Sequence, residues 1–169
     1  MLPVLSVFSY LIIFSLLLAL AYRDLKEYIL PDALNAALAL SFMAFHISTH
    51  WQLLAPVDAL LGGAAGGGLL FLIRAVANKF YRPDSVGLGD VKLMTAAGVG
   101  LGYPDILLTL SLGAFFGLLH GLCMAVSGKK TGENKVSFAQ VNVPAGLGLA
   151  FAVAVVMLHQ FGFGWVSVK

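Results

Sequence analysis

Charge and cysteine are what this sequence has least of. Charged side chains make up 11% of its 169 residues and hydrophobic ones 60%, with a mean hydropathy of +0.94. Soluble domains carry about a quarter charged residues, so a water-facing globule is excluded and lipid is the expected solvent. Cysteine occurs once, at Cys123 in an apolar run. That rules out an internal disulfide and a clustered thiolate metal site, and leaves a small buried or lipid-facing side chain. Lysine and arginine number 10 against 8 acids, and no basic stripe with interleaved aromatics occurs, so no nucleic-acid partner is expected. A basic segment ahead of the first apolar run and a small-residue cleavage site behind it are also missing, which argues for a retained span over a removable signal peptide.

What is there is a succession of apolar runs. A bilayer core takes about 20 residues per helix, and candidates lie near 4–22, 33–51, 56–77, 88–103, 105–127 and 143–161. The expected fold is all-α, one integral-membrane domain over 1–169 with about six transmembrane helices, the fourth short enough to be partly re-entrant. Arg23 and Lys26 follow span one, Arg74, Lys79, Arg82 and Lys92 surround the gap between spans three and four, and Lys129, Lys130 and Lys135 follow span five. The gaps around Trp51 and Tyr103 carry no basic residue. By the positive-inside rule the charged junctions are cytoplasmic and both termini lie outside. A missed or invented helix would have scattered these residues over both faces. Taken singly, each is a topology anchor or a snorkelling side chain.

Acidic side chains near bilayer depth are costly and therefore the first places to look for chemistry. Of the 8 acids, Asp58 and Asp105 stand beside Pro56 and Pro104 where helices begin, and read as helix starts. Glu133 belongs to a polar segment, 127–142, with the character of a solvated loop. Asp24, Glu27, Asp32, Asp84 and Asp90 remain, all at cytoplasmic junctions. Asp24 closes span one and Asp90 opens span four, so the alternating topology delivers both to one membrane face. A helix from Asp90 to the turn at Tyr103 would be only about 20 Å long, against a hydrocarbon core of about 30 Å. If that turn reaches the outer surface, Asp90 lies below the inner one and needs a water-filled recess. Gly87 and Gly89 flank it, and their missing side chains would let a substrate backbone approach closely.

Two carboxyls in one partly dry recess share a proton and titrate as a pair. One can deprotonate water while the other protonates a scissile carbonyl, which needs neither metal nor cofactor. The plainer alternative pairs Asp24 with Arg23 or Lys26 and makes Asp90 a helix cap, and intramembrane acids also serve ion pathways. Asp32, beside Pro31, reads as a charge favouring the start of span two. Lys92, two positions from Asp90, points elsewhere on a regular helix, to anchor the helix or meet a phosphate. Glu27, Asp32 and Asp84 together could draw in a basic peptide, an attraction that salt would weaken. His46 and His50 have the i, i+4 spacing of metal ligands but no third ligand, and read as interfacial histidines. The glycine-rich run 62–68 reads as a close-packing surface on span three.

At these residues the chain resembles the type IV prepilin peptidases. The stretch DLKEYILPDALN, Asp24 to Asn35, is similar to the family's first motif, an aspartate followed some seven residues later by proline and a polar residue opening the next helix. GLGDVKL, Gly87 to Leu93, resembles its second, the GxGD motif running into a lysine and an apolar helix. The segment Val143-Pro144-Ala145-Gly146 is similar to the family's proline and glycine at the start of the last span, though imperfectly. The resemblance implies a GxGD-type aspartyl protease architecture with Asp24 and Asp90 as the catalytic pair. Around that pair, Gly87, Gly89, Glu27, Asp32, Asp84 and Lys92 are expected in substrate-binding or supporting places. The implied reaction is removal of a short basic leader from prepilin or pseudopilin precursors, usually just after a glycine, at the cytoplasmic edge of the inner membrane, in type IV pilus assembly and protein secretion.

Larger members insert paired CxxC zinc motifs ahead of the first aspartate and also methylate the new amino terminus. Nothing like these fits before Asp24, so the chain is similar to the compact, protease-only forms of Flp/Tad-type or archaeal systems, and methylation is not expected. No cofactor and no metal are expected, and membrane lipids are the other partner. The rivals are a small proton- or ion-coupled transporter using the same acids as a relay, and an interaction protein that holds pilus-assembly partners in the membrane.

Overall fold

Six α-helices follow the six apolar runs. The computed structural model describes residues 2–27, 29–80, 87–103, 105–127 and 145–162. Among them lie α1 (Leu2–Glu27), α2 (Asp32–Ser48), α3 (Pro56–Phe80), α4 (Leu88–Leu101), α5 (Asp105–Ser127) and α6 (Ala145–Met157), with a π-helical turn, Leu158–Gly162, completing the last. Short connections make sequence neighbours pack antiparallel. One end of the bundle therefore gathers the end of α1 and the starts of α2, α4 and α6.

The shortest stretch between two turns, α4, occupies the centre and packs against α2, α3, α5 and α6. Leu93, Met94, Ala97 and Leu101 are essentially inaccessible, as expected for a helix that is apolar on every side. Glycines set its distance from α3. A side chain on Gly98 would run into the backbone of Gly62, and one on Gly66 would stand 2.5 Å from the Met94 carbonyl. The two backbones thus touch, the close approach that small residues permit between helices in lipid.

That register also measures depth. Gly62 lies level with Gly98 and Gly66 with Met94, so continuing the same antiparallel register by one turn puts Asp90 level with Leu70. Helix α3 runs on to Phe80, about 15 Å further at 1.5 Å per residue. Asp90 is therefore set well back from the end of the longest neighbouring helix, in accord with the recess that the sequence implies.

Outside this core the bundle turns its apolar side chains outward: Phe8, Leu18, Leu60, Leu72 and Leu118 are all more than 60% exposed, or at that level. Leu60 and Leu72 belong to α3, the 25-residue helix that with Val7–Glu27 of α1 is long and apolar enough to cross a bilayer. A surface of this kind is stable facing hydrocarbon and not facing water. The chain is a membrane protein, and Cys123, exposed on α5, falls on that outward surface.

Two sequence expectations change at the far end of α2. The helix stops at Ser48 rather than Trp51, because His50 and Trp51 take left-handed backbone angles, φ 51° and 56°, that reverse the chain. His46 and His50 thus do not share a helix face. Nor is His46 interfacial: it is fully buried, its Nε2 lies 2.9 Å from the Gly100 carbonyl, and its ring stacks on Trp51. A carbonyl only accepts, so Nε2 carries a proton.

Candidate active site

Asp24 sits in the last turn of α1, where its side chain turns inward and is 5% exposed. Its Oδ2 accepts a hydrogen bond of 2.8 Å from the backbone N–H of Leu147, in the first turn of α6. The first N–H groups of any helix have no partner within it and form the positive end of its dipole. The α1 acid satisfies both needs. Gly146 permits the contact, since a Cβ there would stand 2.9 Å from the Asp24 Cγ and Oδ2.

Asp90 is the third residue of α4 and is 7% exposed. Its carboxylate turns back toward Gly87, the residue ahead of the helix, along the return path that an acidic third residue follows in a capping box. A Cβ on Gly87 would lie 3.1 Å from Asp90 Oδ2, so this glycine makes room for the acid itself. The other oxygen, Oδ1, is buried and has no hydrogen-bond partner among the described residues.

The two carboxyls are near enough for the charge on Asp24 to act on Asp90. Each is tied to a helix start, Asp24 to α6 and Asp90 to its own α4. Two such groups in a poorly solvated place cannot both ionise without cost, so a charge on one disfavours a charge on the other. An oxygen left without a partner is the natural place for a water or a substrate carbonyl to bind.

Sequence reasoning missed Leu30 and Asn35 as parts of this site. Leu30, in the turn between α1 and α2, is buried between the starts of α4 and α6: a Cβ on Gly89 would be 2.7 Å from the Leu30 Cβ, and one on Gly146 would be 2.8 Å from its Cδ1. Asn35 of α2 donates from Nδ2 to the Gly89 carbonyl at 3.4 Å, and its own Oδ1 is buried without a partner. Asn35 lies in the first motif-like stretch, and its polar amide on an otherwise apolar helix was the available signal. Leu30 gave none, because nothing distinguishes it from the other leucines.

The remaining site candidates fall differently. The space beside Gly89 is taken by Leu30 rather than left open for a substrate backbone. Glu27 pairs with Arg23 at 2.8 Å on the surface of α1, and Lys26 lies over the Tyr22 ring, so the two basic neighbours of Asp24 are both turned elsewhere. Lys92 meets Asp32 at 2.6 Å, joining α4 to α2. It anchors its helix, as its position two residues from Asp90 implies. Glu27 and Asp32 are thus half of ion pairs rather than free charges. Asp84 lies outside the described residues, as do Pro144 and Glu133.

Known proteins provide an independent comparison. The model of the type IV leader peptidase family matches residues 11–122, a stretch that includes both Asp24 and Asp90. Among curated proteins, the chain is similar to the prepilin leader peptidase/N-methyltransferase of Pectobacterium carotovorum, with 32% identity over 114 residues, 66% of this chain and 40% of that protein. It is 35% identical over 102 residues to the protein of the same name from Klebsiella pneumoniae, covering 60% of this chain and 44% of the relative. The corresponding Escherichia coli K12 protein is 33% identical over 103 residues, 59% and 45% of the two chains. The chain thus spans about two-fifths of the length of the curated relatives it matches. No solved structure gives a significant match.

Proposed function

Because this chain belongs to the type IV leader peptidase family of aspartic peptidases, we propose that it is a membrane-embedded endopeptidase that removes the leader of prepilin-like precursors, with Asp24 and Asp90 as its catalytic pair. The observation that carries this reading is the pair itself: two buried carboxyls, from the end of α1 and the start of α4, close enough to interact electrostatically.

The chemistry follows from one shared proton. The ionised carboxyl takes a proton from a water as the water oxygen bonds to the scissile carbonyl carbon. The protonated carboxyl gives its proton to the carbonyl oxygen. Collapse of the resulting diol breaks the C–N bond: the departing nitrogen takes a proton from the carboxyl that gained one from water, the other carboxylate takes a proton from a diol hydroxyl, and the pair returns to its starting state. Every atom transferred comes from water or the two acids, so the described residues suffice for each step.

A six-span arrangement in the inner membrane, with the acids at the cytoplasmic face, is supported by the alternation of basic junctions and by the depth of Asp90 behind the end of α3. The substrate is then a precursor with a short basic leader, a glycine and an apolar helix that remains in the bilayer. Of the two activities in the relatives' names, we assign this chain the peptidase, since both acids lie inside the matched segment. Glu27 and Asp32 contribute less to holding a basic leader than isolated acids would, because each is already paired.

The test is cleavage of a purified prepilin by the purified protein in lipid. Asp24→Asn and Asp90→Asn should each abolish product while leaving the helical content unchanged. Retained cleavage in either would overturn the assignment of the pair. Proton or solute flux lost in the same variants, from a wild type that never cuts a precursor, would establish a relay instead. Pilus assembly that survives replacement of both aspartates by asparagine would establish a purely scaffolding role.

A further inference from the structure

We propose that the backbone amide of Leu147, in the first turn of α6, is the group that positions Asp24 for the reaction. This rests on the peptidase reading above and adds to it a partner for one of the two acids.

Asp24 is buried in the last turn of α1, so its rotation is set by the groups it meets inside the bundle. Its basic neighbours do not fix it: Arg23 is engaged by Glu27, and Lys26 lies over Tyr22. The described contact that does is the 2.8 Å hydrogen bond from Leu147 N–H to Oδ2. This donor belongs to a helix 123 positions away, so the orientation of the acid depends on how α6 is seated against α1.

Gly146 makes the arrangement possible. A side chain there would meet both the Asp24 carboxyl, at 2.9 Å, and Leu30, at 2.8 Å. Neither can withdraw freely, since Leu30 is itself held against Gly89. The bond occupies Oδ2 and directs the rest of the carboxyl toward the shared site. Because proline has no N–H and is tolerated in a helix's first turn, where the amides have no helical partner, the donor can be removed without breaking a bond of α6 itself.

The experiment compares Leu147→Pro with Ala145→Pro, the same change at the first residue of the turn. Both are measured in lipid vesicles on a prepilin whose basic leader ends in glycine. Leu147→Pro should lower kcat about tenfold to a hundredfold, the loss expected from a misplaced reacting group, with KM within about twofold of wild type. Ala145→Pro should keep wild-type values of both. Equal kcat in wild type and Leu147→Pro overturns the proposal, as does an equal loss in the two proline variants or a loss confined to KM.

Should Leu147→Pro reduce helical content, exchange of the Leu147 amide for an ester, which keeps the side chain and backbone path, gives the same comparison. A reading independent of catalysis separates this inference from the function it rests on. In 15N-labelled protein, the Leu147 amide proton should exchange slowly and should move upfield and exchange faster in Asp24→Ala. An amide unaffected by that change overturns the positioning contact even if the precursor is cleaved. A protected, Asp24-dependent amide in a protein that cleaves nothing supports the contact and sinks the peptidase reading alone.

Discussion

Leu30 fills the space that a side chain on Gly89 would need, its Cβ 2.7 Å from where a Gly89 Cβ would stand. The turn between α1 and α2 is thereby locked against the start of α4, one residue from Asp90. Gly89→Ala should force these segments apart and lower cleavage at least about tenfold. Adding Leu30→Gly, which removes the opposing Cβ, should recover part of the loss. The check is a double-mutant cycle on kcat, in which contacting residues give non-additive effects.

Helices α3 and α4 offer a contrast between a glycine on their seam and one that faces away from it. Gly98→Ala drives a methyl into the Gly62 backbone and should cost about 1–3 kcal/mol through overpacking. Gly68 has nothing within 4 Å of its would-be Cβ, so Gly68→Ala should be neutral or stabilise by up to about 1 kcal/mol. Thermal unfolding in one detergent reads both. Equal effects would mean that the two helices are not in backbone contact.

At the opposite end of the bundle, His46 holds the Gly100 carbonyl through Nε2. His46→Leu leaves that buried acceptor unmatched and should destabilise by about 1–3 kcal/mol, while His46→Gln, which keeps a donor, should lose less. Neither should change kcat at a temperature where the protein is folded, because His46 and the acids lie at opposite ends of α2 and α4. A loss of kcat without a loss of stability would point to a role in the chemistry.

The bridge between Asp32 and Lys92 is short but exposed, 73% and 48% at its two side chains. Exposed pairs contribute about 0–1 kcal/mol, so Asp32→Asn and Lys92→Met should each shift stability by less than about 1 kcal/mol. The coupling between them should shrink with added salt. A large drop in cleavage from Asp32→Asn alone, with Lys92→Met silent, would instead place Asp32 at the precursor.

Removal of the Asn35 amide breaks its bond to the Gly89 carbonyl. Asn35→Ala should cost about 1 kcal/mol of stability and reduce kcat several-fold, since the start of α4 carries Asp90. Asn35→Asp removes the donor at similar size and should be as slow, so a fast Asn35→Asp would show that the donor is dispensable.

The helical architecture was legible because lipid demands long apolar runs and marks their ends with charge. The six runs predict the six helices to within about five residues: the largest departure is at the end of α1, which runs on to Glu27, and at Trp51 two left-handed residues end α2 early. The acids were legible for the same reason: Asp24 and Asp90 are conspicuous in a chain with so few charges. Gly89 was read as an opening toward substrate, because a missing side chain looks the same in sequence whether the space beside it is empty or filled by Leu30. His46 was read as interfacial, since residue type does not reveal that a helix end is roofed by Trp51 and Phe161.

By itself, the sequence determined that the chain lives in lipid, how many times it forms a helix, and that two acids come to the same end of the bundle. These follow from hydropathy and charge, which are properties of side chains counted along one dimension. Only the tertiary structure decided what holds each acid. Leu147 holds Asp24 through a backbone N–H group that every non-proline residue possesses, Gly87 leaves room for Asp90, and which such group is free and aimed at a carboxyl depends on where helices start and how they pack.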